Sequence, residues 1–252
     1  MDKAFVKGLR LIEALAQSET PRGVTDLATE LSLTKSNVHR LLTTLQVHGY
    51  VRQVPVFSTY ELTTKIWELG SQTIRRMGLL KIARPAMLKL AEKTTETVHL
   101  SILDDTEVVY VDKIESPHHI RAHTSVGSRA PAWAVATGKA MLAQMPDAYL
   151  ERFDGQFHKF TETSKASLAE LRQDLEVIRR DGYCEVYHGE WREGIAAVAC
   201  AILDSSNKLV GAIGVSGPDS RLKRRQLQAF APYVPEAARD ISRSLGHSSD
   251  LG

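Results

Sequence analysis

Between Thr34 and Val47 the chain carries Lys35, Ser36, Asn37, His39, Arg40, Thr43 and Thr44, and no Asp or Glu. Val38, Leu41, Leu42 and Leu45 recur at helical spacing, so the stretch reads as a helix with a narrow apolar stripe. At about 100° per residue Ser36, Arg40 and Thr43 point away from that stripe, with Asn37, His39 and Thr44 beside them. Hydroxyls, an amide, an imidazole and a guanidinium on an acid-free face can bond phosphates and base edges, and Arg40 can grip guanine through two bonds. Thr34 is placed to cap this helix. Arg22 and Thr25, at the start of a shorter helix before it, suit a contact with backbone phosphate, as does Arg52 on the strand after it. The expected partner is double-stranded DNA.

Other reactive residue types are less concentrated. His118 and His119 are adjacent and His123 follows, but on extended chain they do not converge as metal ligands do, so no metal site is expected. Cys184 and Cys200 have neither metal nor redox spacing, and Cys200 sits in an apolar run as a small buried hydrophobe would. Asp104-Asp105-Thr106 is a turn before it is a carboxylate pair for acid–base work. No nucleophile elbow, Walker loop, dinucleotide fingerprint or His-Glu-x-x-His is present, and neither a cofactor nor an enzymatic activity is expected.

The elements that must hold the acid-free face are legible around it. Val24–Leu31 is a short amphipathic helix, followed by a Ser32-Leu33 turn. Gly49 ends the second helix, and Tyr50–Val54 with Thr59–Leu62 form a hairpin. Helix, tight turn, helix and hairpin make a winged helix-turn-helix. Ala4–Ser18 completes its core through Phe5, Leu9, Ile12, Leu15 and Ala16. At the wing tip, Pro55-Val56-Phe57-Ser58, the apolar Val56 and Phe57 would pack back on the domain or touch sugar edges. Thr64–Met77 reads as a linking helix.

From residue 81 the pattern changes. Ile82–Thr94 is a helix with Pro85 in its first turn. Thr97–Leu103, Glu107–Ile114 and Ile120–Ser125 read as strands. Ala134–Gln144, Asp147–Phe153 and Ser167–Asp181 read as helices, the last with a Ser167/Glu170 capping box. Tyr183–Tyr187 is a further strand, and Ile195–Leu203 and Leu209–Ser216, apolar on both faces, belong at a sheet centre. A helix from about Asp219 to Leu245 closes the chain. Strands joined by hairpins with helices grouped around them give an α+β fold, divided as residues 1–63, a linker over 64–80, and a second domain over 81–252.

With 252 residues, 43% hydrophobic and 25% charged, the chain suits two modest soluble domains. No apolar run reaches the ~18 residues of a membrane span. Residues 1–20 have no signal-peptide core, so a cytoplasmic location is expected. Residues 1–80 carry net +3 and the remainder −1. So weak a polycation gains from presenting two DNA-binding units together, which points to a homo-oligomer.

Leu33-Thr34-Lys35-Ser36-Asn37-Val38-His39-Arg40-Leu41-Leu42 with Leu45 and Gly49-Tyr50, then Ala136-Thr137-Gly138-Lys139-Ala140, Gly182-Tyr183 and Ser216-Gly217-Pro218, resemble the IclR family of bacterial transcription regulators nearly end to end. The resemblance implies an N-terminal winged helix for an operator, joined by a linker helix to a GAF-like antiparallel-sheet effector domain. It also implies a homodimer or tetramer controlled by a small molecule. Carried over by position, it places the effector against His119, Ala122, Ala130, Ala136, Thr137, Tyr187, Ile195, Ala197, Gly214 and Ser216. Trp133, Tyr187 and Trp191 supply aromatic surface nearby. Ala197 and Gly214 offer no polar side chain where members that bind small oxo-acids place a thiol or hydroxyl, which favours a larger aromatic or carboxylate effector. The reading is a repressor, with an activator of the same architecture or a ligand-free architectural protein as alternatives.

Overall fold

The computed structural model describes residues 3–54, 57–76 and 78–247. The chain forms two compact units, Met1–Met77 and Gly78–Gly252.

In the first unit three helices, α1 (Lys3–Ala16), α2 (Val24–Glu30) and α3 (Lys35–Val47), precede the hairpin of β1 (Val51–Val54) and β2 (Thr59–Leu62), and α4 (Lys65–Arg76) follows. Thr34 caps α3 by accepting from the Asn37 amide at 3.3 Å. Leu11, Ala14 and Leu15 of α1 join Leu27, Ala28, Leu31, Val38, Leu42, Val51 and Tyr60 in one core. The inward face of α1 is therefore rotated from the expected one: only Leu15 of the five expected residues is buried, while Phe5 and Leu9 are exposed. Phe57 at the wing tip is 75% exposed and does not pack back on the domain; Pro55 and Val56 lie outside the described residues, as does Met77 at the end of the expected linking helix. Lys65 at the start of α4 donates to the His48 carbonyl beyond the end of α3 at 2.9 Å, a favourable place for a cation at a helix C-terminus.

The second unit is built on a six-stranded antiparallel sheet in three layers. Its strands are β3 (Thr97–Asp104), β4 (Glu107–Ile114), β5 (Arg129–Pro131), β6 (Cys184–Val186), β7 (Ile195–Leu203) and β8 (Leu209–Pro218), in spatial order β5-β4-β3-β8-β7-β6. One face packs Val98, Leu100, Ala196, Val198, Ile213 and Val215 against α5 (Leu79–Thr94) and the C-terminal helices. The other packs Val108, Tyr110, Ala199 and Ala212 beneath α6 (Ala136–Leu142), the short α7 (Asp147–Leu150) and α8 (Leu168–Asp181). Ser167 caps α8 through the Glu170 amide at 3.3 Å.

Two expected elements differ. Residues 121–125 form no strand, and the third strand in chain order is β5, paired to β4. The carbonyls of this segment are taken up by side chains instead of a ladder: Arg221 bonds the Ile120 carbonyl, Thr97 that of Ala122, Arg192 that of His123 and Lys113 that of Thr124. The closing helix breaks into α9 (Arg224–Phe230) and α10 (Tyr233–Ser244). Pro232 has no amide to continue α9 and its ring crowds the preceding turn.

Close approach fixes α6. A β-carbon on Gly138 would lie 2.1 Å from the carbonyl oxygen of Ala132, in the 3-10 turn Ala132–Ala134 that precedes the helix. Gly138→Ala is expected to cost at least about 2 kcal/mol, read as a lower urea midpoint at unchanged slope; an unchanged midpoint would mean that α6 can shift off the turn freely.

Candidate nucleic-acid interface and ligand cavity

The acid-free face of α3 forms as the spacing predicts. Lys35, Ser36, His39, Arg40 and Thr43 are exposed, Asn37 is half-buried, and Val38 and Leu42 are fully buried beneath. Thr43 and Thr44 donate back to the carbonyls of His39 and Arg40 at 2.9 and 3.0 Å, so both present lone pairs outward. Thr34 is occupied with capping, and its hydroxyl lies 3.2 Å from that of Ser36. Thr25 is exposed on α2.

The four cations named from sequence are not equally available. Arg22 is bonded to Glu30 at 2.8 Å and Arg52 to Glu61 at 2.6 Å. The second pair is a consequence of register, since Arg52 stands directly opposite Glu61 in the hairpin. Arg22 is held in place by paired backbone bonds with Tyr60. Among the described residues neither Lys35 nor Arg40 has an ion-pair partner.

In the second unit a cavity of about 100 Å³ opens between the sheet, the start of α6, residues 122–124 and residues 189–192. Ala122, Ala136, Thr137, Ile195, Ala197, Gly214 and Ser216 line it. Four expected residues do not. Trp133 is buried in the 3-10 turn, its ring against Phe157 and Phe160 at 5.0 and 5.6 Å. Ala130 is buried on the edge strand β5, opposite Val108. His119 is exposed. Tyr187 lies against the His188 ring at 3.9 Å with Arg224 over its own ring.

The polar lining comes largely from residues the sequence did not single out: His99, Tyr110, Thr124, Glu190 and Arg192. His99 on β3 faces Gly214 on β8, which leaves its ring free to reach Ser216. Its Nε2 is 2.5 Å from the Ser216 hydroxyl and its Nδ1 3.0 Å from that of Thr124. Burial, helped by Lys113, lowers its pKa from the ordinary 6.5 to about 4, so the ring is neutral at pH 7. Burial likewise pushes the Tyr110 phenol up to about 12 against the pull of Arg192, and keeps it a hydroxyl. Tyr110 faces Thr137, yet the Thr137 hydroxyl oxygen is buried without a bond of acceptable geometry. A period-two reading of β3 would have found His99, the one inward polar ring between Val98 and Leu100.

Behind Glu190 lies a buried ion cluster. Lys139, central in α6 and 1% exposed, donates to Glu190 Oε1 at 2.5 Å and to Asp174 Oδ2 at 2.6 Å. Lys165 joins Asp174 at 3.1 Å. Burial alone would lower the lysine pKa, but the surrounding anions, Glu190 first, raise it and keep the ammonium charged. Glu190 Oε2 is buried with no partner. Gly214 keeps the floor shallow, since a β-carbon there would come 2.9 Å from Thr137 Cγ2.

Two family models match the chain, one toward each end. The model of the IclR helix-turn-helix domain matches residues 4–55 and that of the bacterial transcriptional regulator IclR C-terminal region matches residues 71–243. The HTH-type transcriptional regulator KdgR of Escherichia coli K12 is 31% identical over 246 residues, covering 97% of this chain and 93% of that protein. The transcriptional repressor IclR of the same organism is 31% identical over 248 residues, covering 97% and 90%. The crystal structure of Thermotoga maritima IclR superposes with a TM-score of 0.82 at 25% identity, over 98% of this chain and 100% of that one. An IclR homologue from Microbacterium hydrocarbonoxydans, solved with 4-hydroxybenzoate, gives 0.83 at 21% identity over 98% and 100%, a likeness of fold.

The His99 ring makes stability depend on pH in a defined direction. The unfolded chain takes a proton near 6.5 that the folded protein refuses until about 4. The unfolded state thus binds more protons in that window, and stability falls as pH drops through it. His99→Gln is expected to flatten the fall between pH 6.5 and 4.5 in urea titrations; an unaltered slope would mean that other groups carry it.

Proposed function

The chain belongs to the IclR family of bacterial transcriptional regulators, and from that premise we propose that it is an operator-binding repressor retuned by a small metabolite held in the cavity of the second unit. Residues 1–63 bind DNA, 64–80 link, and 81–252 bind effector and oligomerise. The observation that carries the first half is the α3 face, exposed, without acids, and bearing Lys35 and Arg40, which have no ion-pair partner among the described residues. Such a helix fits the major groove, with Ser36, Asn37, His39, Arg40 and Thr43 toward base edges and Thr25, Thr34 and Lys35 toward phosphates. Arg22 and Arg52 reach phosphate only by exchanging Glu30 and Glu61 for it.

Repression is supported by the name of the E. coli repressor IclR, similar over nearly the whole of both chains. Recognition through one helix per chain favours two or four copies on a repeated operator. No described helix is long and apolar enough to cross a membrane, in keeping with action on cytoplasmic DNA. The effector reading rests on the cavity, apolar overall with a few converging polar groups. In the Microbacterium homologue the bound molecule is an aromatic acid. Effector would act by binding one arrangement of the paired DNA-binding units better than another.

Arg40→Ala is expected to weaken binding to a fragment selected from genomic DNA by about 1–3 kcal/mol, with unchanged affinity for any effector. Undiminished affinity would refute the docking of α3. A thermal-shift screen of small carboxylates and aromatic catabolites, each hit then tested on DNA affinity, examines the second half. A panel with no hit would leave DNA binding standing and reduce the second unit to oligomerisation.

A further inference from the structure

The cavity's charges constrain what fits it. The ion cluster behind its wall, buried at Lys139 and Glu190 and half-buried at Lys165 and Asp174, holds two ammonium groups against two carboxylates. It is balanced, so it has no spare positive charge for an anion pushed to the inner end. What it does have is an acceptor with nothing to accept. Glu190 lines the cavity, is 7% exposed, and spends only Oε1 on Lys139. Its Oε2 and the hydroxyl oxygen of Thr137, which lines the same cavity, are both buried without a hydrogen-bond partner among the described residues. A buried carboxylate oxygen without a donor has lost its hydration and gained nothing for it, and a ligand donor would make up that loss.

The rim is the reverse. Arg192 is exposed, lines the cavity, stacks on Trp191 at 4.2 Å and donates to the His123 carbonyl at 3.2 Å. No carboxylate among the described residues pairs with it. The enclosed part, about 100 Å³, is smaller than the ~150 Å³ engineered cavity that takes benzene, so a ring must extend toward that rim.

Accepting the effector reading given above, we propose that the cavity takes a two-ended ligand: an N–H or O–H donor at its inner end, received by Glu190 Oε2 with the Thr137 hydroxyl as a second acceptor, and an anionic group at its outer end, held by Arg192. A small oxo-acid with no donor satisfies only the outer half.

Calorimetry on the full chain with two isosteric probes tests this. The probes are 4-aminobenzoate, which carries the donor, and 4-methylbenzoate, which replaces it by a methyl group. The amino compound is expected to bind at least about tenfold more tightly, the worth of a hydrogen bond to a charged group. In Glu190→Gln the Lys139 ammonium claims the amide oxygen and leaves an NH2 toward the cavity, so that preference disappears. Thr137→Val, nearly isosteric, is expected to reduce it in part, and Arg192→Met to weaken both probes alike. Thermal unfolding of each ligand-free variant separates lost folding from lost selectivity. Equal binding of the two probes to the unaltered chain overturns the proposal. Binding of neither probe overturns it too. If a panel compound then binds, the effector reading survives, and if none does, both fall together.

Discussion

Lys139 has an ammonium group that is almost wholly withdrawn from water, and a charge in that position is tolerable only if carboxylates surround it. Two come from separate parts of the chain: Asp174 from α8 and Glu190 from the segment between β6 and β7. The pairing therefore binds the helix over the sheet, the helix outside it and one wall of the cavity at a single point. Removing either carboxylate would leave the buried ammonium with half its compensation, a larger cost than any exposed ion pair here could return. Gly138, the residue before it, lets α6 come down on the 3-10 turn closely enough for the lysine to reach both acids.

The same economy of polar groups explains the segment from 120 to 125. An irregular stretch next to a cavity exposes carbonyls that a sheet would satisfy. Here arginines, a threonine and a lysine satisfy them, and Arg221 is itself held by the buried Glu96. Side chains from β3 and β4 thus set the positions of Ala122 and Thr124, and Thr124 in turn fixes one side of the His99 ring.

Local patterns were readable; long-range convergence was not. The α3 face, its Thr34 cap, the hairpin and the two central strands follow from periodicity and capping chemistry, which act within a few residues. Residues 121–125 alternate like a strand, but nothing nearby in sequence shows that Arg192 and Arg221 will take their carbonyls. Seven of the residues carried over from the family resemblance lie on the cavity, while Glu190, whose position depends on Lys139 across 51 positions, was not among them. Tyr187 was expected at the cavity from its position in the family resemblance, and Trp133 as aromatic surface near it. Their rings find other aromatic or cationic partners instead.

Charge availability, more than charge content, separates the residues that can act from those that hold the structure. Arg22, Arg52, Lys139 and Arg221 all carry a full positive charge, and each already has a carboxylate. Any anion that approaches Arg22 or Arg52 must compete with a glutamate at less than 3 Å, so the net gain is the difference between two similar contacts. Among the described residues Arg40 and Lys35 have no such contact to lose, so an anion or base edge that met them would gain the whole interaction. Arg192 stands in the same position at the cavity rim, where it spends one N–H on a neutral carbonyl. The net charge of +2 does not register this difference, which lies in whether a given cation already holds a carboxylate.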